Sequence, residues 1–151
     1  MNPYDSDEVR AVWARVTANG QETTPPEEQL QELIADELTD CASYRVLSRC
    51  CGRFSAVFRA IAADELRHAK RLSALYVLHY GCIPTPYAGA YDCRPCLCTA
   101  LHEHYEAEQK GAKVYEDLAT RFPQHEALFC SLAADERCHA ERLTAIAEAI
   151  Q

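Results

Sequence analysis

Long hydrophobic runs are missing from this chain. No apolar stretch in its 151 residues approaches the roughly 18 residues that a membrane span needs. Basic charge is also scarce: 15 Lys and Arg face 23 Asp and Glu, for a net charge of −8. Those few cations are scattered among acids along the sequence. Nucleic acid and anionic membrane surfaces both call for clustered Lys/Arg, so neither is an expected partner. Met1 to Arg10 is polar and acidic. It lacks the positive start and apolar run of a secretory signal, and a cytoplasmic protein is the expectation. Alternation of period two is absent as well, which leaves an all-α fold.

Cysteine, by contrast, is plentiful, with nine residues. An odd count leaves at least one thiol unpaired, and a disulfide framework belongs to small exported domains. Most of the nine are expected to be reduced thiols. Cys41, Cys130 and Cys138 fall within helical patterns and are expected to pack as small apolar groups.

The chain divides into residues 1–26, an N-terminal helical segment and linker, and residues 27–151, a four-helix bundle. Val9, Val12, Trp13 and Val16 predict a short amphipathic helix from Asp5 to about Ala18. Pro25-Pro26 sets the start of the next helix. Four long helices follow, at about Glu27–Arg49, Arg53–Tyr80, Leu97–Arg121 and Gln124–Ile150. Gly81 to Pro95 holds three prolines and two glycines and reads as a loop. A helix of 26 residues is about 39 Å long, and 15 extended residues reach about 50 Å at most. The loop can therefore run the length of the bundle and set the second and third helices parallel, the single-crossover topology of ferritin-like bundles.

The most informative pattern is a repeat. Ala62-Ala63-Asp64-Glu65-Leu66-Arg67-His68 returns 71 residues later as Ala133-Ala134-Asp135-Glu136-Arg137-Cys138-His139. At the same offset Glu37 matches Glu108, Tyr44 matches Tyr115 and Phe58 matches Phe129. Each half is thus a helix with a central Glu followed by a helix with Glu-x-x-His. Residues i and i+3 share a helix face, so a carboxylate and an imidazole in that motif can hold one metal ion. A lone Glu-x-x-His arises by chance. Here Glu37, Glu65, Glu108 and Glu136 each interrupt an apolar stripe, with no Lys or Arg on those stripes to neutralise them. Four buried carboxylates repel one another and resist desolvation. Two divalent cations would supply +4 against −4, and His68 and His139 would complete the coordination. Oxygen and nitrogen donors without thiolate suit iron or manganese. Glu65 and Glu136 are expected to bridge, with Glu37 and His68 on one metal and Glu108 and His139 on the other. Asp64 and Asp135 are expected to take the second N–H of the His on the opposite helix. Tyr44 and Tyr115 lie on the ligand faces, as hydrogen-bond donors to carboxylates, electron carriers or packed core residues.

With these six ligand positions on residues 27–150, the chain resembles the rubrerythrin branch of the ferritin-like superfamily. The resemblance implies a di-iron oxidoreductase that reduces hydrogen peroxide to water, using a separate electron-donor protein. It also implies pairing into a homodimer. Two departures stand out. A rubredoxin-like domain is missing, since only Cys93-Arg94-Pro95-Cys96 has the Cys-x-x-Cys spacing. An extra Glu, found in many members one turn after the third-helix ligand, is replaced by Gly111, with Asp40 at the pseudo-symmetric position. Glu103-His104-Tyr105-Glu106 offers a rival third-helix register. Glu108 is preferred because it stands 28 residues before Glu136, as Glu37 stands before Glu65. Cys93, Cys96 and Cys98 are open to three readings: an electron-relaying thiol pair, a zinc site completed by Cys82 or His102, or free surface thiols. Other functions compatible with the ligand set are a ferroxidase feeding iron storage, taking O2 as oxidant; a manganese catalase; and a metal-stabilised module without catalysis.

Overall fold

The computed structural model describes residues 24–89 and 96–150. The expected N-terminal helix and Cys93 lie outside the described residues. Among the described residues there are four long helices: α1 (Glu27–Cys50), α2 (Ser55–Tyr80), α3 (Leu97–Arg121) and α4 (Glu126–Ala149). No strand occurs among the described residues.

Local chemistry sets the ends. Pro26 precedes α1, and Glu27 and Glu28 occupy its first turn, where carboxylates complement the helix dipole. Gly81 closes α2 in the left-handed region, at φ 69°, its N–H bonded to the Val77 carbonyl. Glycine takes that conformation without the Cβ penalty other residues meet. The short connections are 3₁₀ turns, Gly52–Phe54 and Pro123–His125, so α2 and α4 begin two residues later than the sequence reading has them. The repeat extends to backbone angles. Cys51 has φ −120° and ψ 69°, and its counterpart Phe122 has φ −124° and ψ 70°.

The helices pack chiefly as two hairpins, α1 with α2 and α3 with α4. Crossed hydrogen bonds join them. Tyr44 on α1 donates to Glu108 on α3, and Tyr115 on α3 donates to Glu37 on α1. The earlier residue of one helix meets the later residue of the other, so α1 and α3 are antiparallel.

Two apolar clusters build the core. One gathers Leu30, Ile34, Leu72, Leu118, Phe129 and Leu132; the other gathers Cys41, Leu47, Phe58, Ile61, Leu143 and Ile146. Phe58 and Phe129 are wholly buried. Each large apolar side chain so buried stabilises the fold by about 1.5–3 kcal/mol. The ionisable layer of Glu and His lies between these clusters, and their burial offsets its desolvation. Cys41 is buried as expected, whereas Cys130 is exposed, because position 130 of α4 faces solvent beside the inward Phe129. Cys138 is half-buried. No helix among the described residues is long and apolar enough to cross a membrane.

Candidate metal centre

Each motif helix turns its Glu and His to the bundle axis through the i, i+3 spacing. Glu37, Glu65, His68, Glu108, Glu136 and His139 are all buried, none more than 5% exposed. They form two overlapping groups, Glu37, Glu65, His68 and Glu136, and Glu65, Glu108, Glu136 and His139. Within each group the potential ligand atoms lie within 4.8 Å of one another. Glu65 and Glu136 belong to both groups, as a bridging pair would. Glu103 and Glu106 are exposed, so the rival third-helix register does not reach the cluster.

The imidazoles are oriented from outside the cluster. His68 Nε2 lies 3.1 Å from Asp135 Oδ2, and His139 Nε2 lies 3.2 Å from Asp64 Oδ2. Asp64 is further tied to Arg67 at 2.7 Å and to Arg142 at 3.3 Å. With Nε2–H donated to the aspartate, Nδ1 of each ring faces the carboxylates. His68 Nδ1 lies 3.2 Å from Glu37, 3.2 Å from Glu65 and 3.1 Å from Glu136. His139 Nδ1 lies 2.9 Å from Glu65 and 3.3 Å from Glu108. The two rings stack with centroids 5.8 Å apart.

This donor set fits a pair of cations better than it fits itself. One Nδ1–H can serve one carboxylate well, yet each Nδ1 faces several. Glu65 Oε1 and Glu136 Oε1 are buried and accept no well-aligned hydrogen bond; each has only an imidazole Nδ1 that it shares with other carboxylates, His139 at 2.9 Å and His68 at 3.1 Å. A buried oxygen left short of a good donor carries a penalty of up to about 1–3 kcal/mol, and a cation would remove it. The remaining lone pairs are also accounted for, since Tyr44 and Tyr115 hold the outer oxygens of Glu108 and Glu37.

Protonation in the metal-free protein follows the same geometry. Burial drives Glu37 well above its ordinary value and Glu108 up to about 9. Burial alone would lower His68, but the hydrogen bonds it donates to Glu136, Glu37 and Glu65 override it and raise it to about 12. His139 is raised by the equivalent set. Burial also opposes ionisation of Glu65 and Glu136, but the two imidazolium partners hold both below the ordinary range. Burial pushes Tyr44 and Tyr115 well above theirs, so both hydroxyls keep their protons and remain donors.

A cavity of about 260 Å³ between α1 and α3 opens onto Glu37, Glu108 and Glu136. Asp36, Asp40 and Lys110 stand at this opening. At Gly111 even a methyl group would touch the Glu136 carboxylate, 3.6–3.7 Å away. Partial burial and the nearby Glu65 and Glu136 raise Asp40 to about 7, although four-tenths of its side chain meets solvent. No protein-family model matches the chain, and neither does a curated protein or a solved structure.

Sequence reading passed over two features. His104 is buried against the Tyr44 ring, with centroids 4.6 Å apart; its place one turn before Glu108 was the available signal. His79 and His125 meet Nε2 to Nε2 at 2.8 Å across the two hairpins, a contact that no spacing in the sequence announces. Cys82, Cys96 and Cys98 are exposed free thiols. Among the described residues no cysteine joins a metal-sized cluster.

The aspartates supply a direct test. Asp64→Asn and Asp135→Asn should each weaken metal binding about 10–100-fold while leaving the helical circular dichroism unchanged. Competition with a chromogenic chelator measures this. Wild-type affinity in both variants would remove the orienting role.

Proposed function

We propose that this chain is a rubrerythrin-like di-iron peroxidase, reducing hydrogen peroxide to water with electrons from a separate donor protein. The observation that carries the reading is the pair of four-ligand groups sharing Glu65 and Glu136. That is the ligand set of carboxylate-bridged di-iron bundles: one Glu from each of two helices and Glu-x-x-His from each of the other two. The topology proposed is ferritin-like. With α1 antiparallel to both α2 and α3, Tyr80 and Leu97 would lie at opposite ends of the bundle, as a single long crossover requires. Its first part supports this, since Thr85 N–H donates to Gln31 and Gly89 N–H donates to Thr39, two turns further along α1.

Glu37, Glu65, Glu136 and His68 would hold one iron, and Glu65, Glu136, Glu108 and His139 the other. When bound and reduced, such an iron pair would supply the two electrons that peroxide reduction needs. The chain does the rest. Asp64 and Asp135 fix the imidazoles with Nδ1 inward. Tyr44 and Tyr115 hold the terminal carboxylates in place. The α1–α3 cavity admits a small uncharged oxidant, and Gly111 keeps Glu136 accessible from it. Asp40, partly in solvent at the cavity mouth, holds a proton close to where water forms.

The test is anaerobic Fe(II) loading followed by rapid mixing with peroxide or with oxygen, read by the near-ultraviolet absorption of an oxo-bridged diferric pair. The expected result is saturation at two irons per chain and a far faster reaction with peroxide. Faster reaction with oxygen that continues beyond two irons would replace the reading with a ferroxidase. Preferential retention of manganese, with peroxide disproportionation, would replace it with a catalase. Failure to hold any metal would end it.

A further inference from the structure

The cations that look scattered in the sequence are gathered by the fold. Arg45 and Arg49 on α1, and Arg59, Arg67 and Lys70 on α2, line one groove of about 590 Å³ together with Ser48. All five cationic side chains are exposed, and no acidic side chain lines the groove. Arg67 is paired with Asp64, but Arg49, Arg59 and Lys70 have no ion-pair partner among the described residues. This is a concentrated positive surface on a chain whose net charge is −8. Unpaired surface cations lining one groove repel one another and add nothing to the stability of the fold, so their grouping points outward, to an anionic partner.

Position identifies that partner's role. Ala62, Ala63 and Leu66 line the groove, and Glu65 and His68 leave the same turns of α2 toward the metal centre. The groove and the centre are therefore separated by about one helix diameter, roughly 10 Å. The other approach to the centre, between α1 and α3, is edged by Asp36, Asp40 and a single cation, Lys110, and offers a negative surface no comparable cluster of cations. We propose that the α1–α2 groove is the docking site of an acidic one-electron-transfer protein that reduces the metal centre. The inference rests on the peroxidase reading, which is what requires an outside reductant. The reaction served is H2O2 + 2 e⁻ + 2 H⁺ → 2 H2O, with the electrons arriving singly from two donor molecules. Peroxide, being neutral, is free to enter on the acidic side. Electrostatic docking of this kind mainly raises the association rate, by about 10- to 1,000-fold, and salt abolishes the gain.

The test uses the iron-loaded full-length chain and plant-type [2Fe–2S] ferredoxin, an acidic carrier, as probe. Binding of the oxidised carrier is measured by calorimetry, and its peroxide-dependent oxidation, starting from the reduced form, by stopped flow. Arg49→Glu/Arg59→Glu should lower both the affinity and the second-order rate constant at least about 10-fold at low salt, and the difference should vanish at high salt. Lys113→Glu/Arg121→Glu, the same charge change on α3, should leave both near wild type. Equal loss in the two variants, or no loss in the first, overturns the proposal. Pyrophosphate binding that the groove variant abolishes, with ferredoxin binding unaffected, also overturns it and assigns the groove to a small anion. A neutral reduced phenazine tests the peroxidase reading separately. If it sustains no peroxide turnover in wild type, that reading fails, while the binding titration still decides the groove.

Discussion

Glu65→Gln will lose the dinuclear site: equilibrium dialysis with Fe(II) will find at most one ion per chain where wild type takes two. Glu136→Gln will behave the same way. Glu37→Gln and Glu108→Gln will each retain one well-bound ion. The contrast follows from membership of the two groups. Glu65 and Glu136 supply oxygens to both, while Glu37 serves only the group with His68, and Glu108 only the group with His139. An amide keeps the volume of the carboxylate, so packing around these buried positions is retained. It carries no negative charge, however, and its nitrogen cannot accept a metal. Losing a shared carboxylate therefore removes a ligand from both ions and leaves +4 facing −3. Losing an unshared one weakens a single ion. Circular dichroism should show all four variants folded, because the amide keeps the shape of each side chain and the two apolar clusters that flank the layer are untouched. Two ions bound with wild-type affinity in Glu65→Gln would show the ligand assignment to be wrong.

The site was legible because it breaks the pattern around it. A carboxylate inside an apolar stripe is conspicuous, and four of them at one repeat offset single out a layer of the bundle. The aspartates were legible for a related reason, since Asp64 and Asp135 each precede a motif Glu and so lie near the face of the opposite His. The tyrosines were read only as far as their helix face. That Tyr44 serves Glu108 and Tyr115 serves Glu37 depends on how the two hairpins dock, and periodicity within one helix says nothing about that. Cys130 failed for lack of margin: residues 129 and 130 are 100° apart on a helix, and a small side chain at a stripe edge has little apolar area to bury. The basic groove was missed because its members come from two helices. Arg49 and Arg59 are separated in sequence by the turn that brings them side by side.

Metal loading at neutral pH should expel about four protons per pair of ions. The count comes from the metal-free protein, in which protons do the neutralising that cations do after loading. Glu108 titrates at about 9 and so is a neutral acid at pH 7, and burial moves Glu37 in the same direction, well above its ordinary value. His68, at about 12, is an imidazolium, as is His139. Glu65 and Glu136 are held ionised. Two carboxylates and two imidazoliums sum to zero, as do four carboxylates and two divalent ions. The cluster is thus neutral before and after loading, and no buried net charge opposes folding in either state. The sign is fixed: protons and cations compete for the same lone pairs, so acid weakens binding. Below about 9 Glu108 keeps its proton in the metal-free cluster. The overall constant for binding both ions should therefore fall by about 10⁴ for each pH unit between 8 and 6. Anaerobic calorimetry with Mn(II) or Fe(II), repeated in buffers of different ionisation enthalpy, measures the protons directly. Release near four supports a cluster assembled from neutral acids and imidazoliums. Release near zero would mean that the ions bind to carboxylates already ionised, or outside this layer altogether.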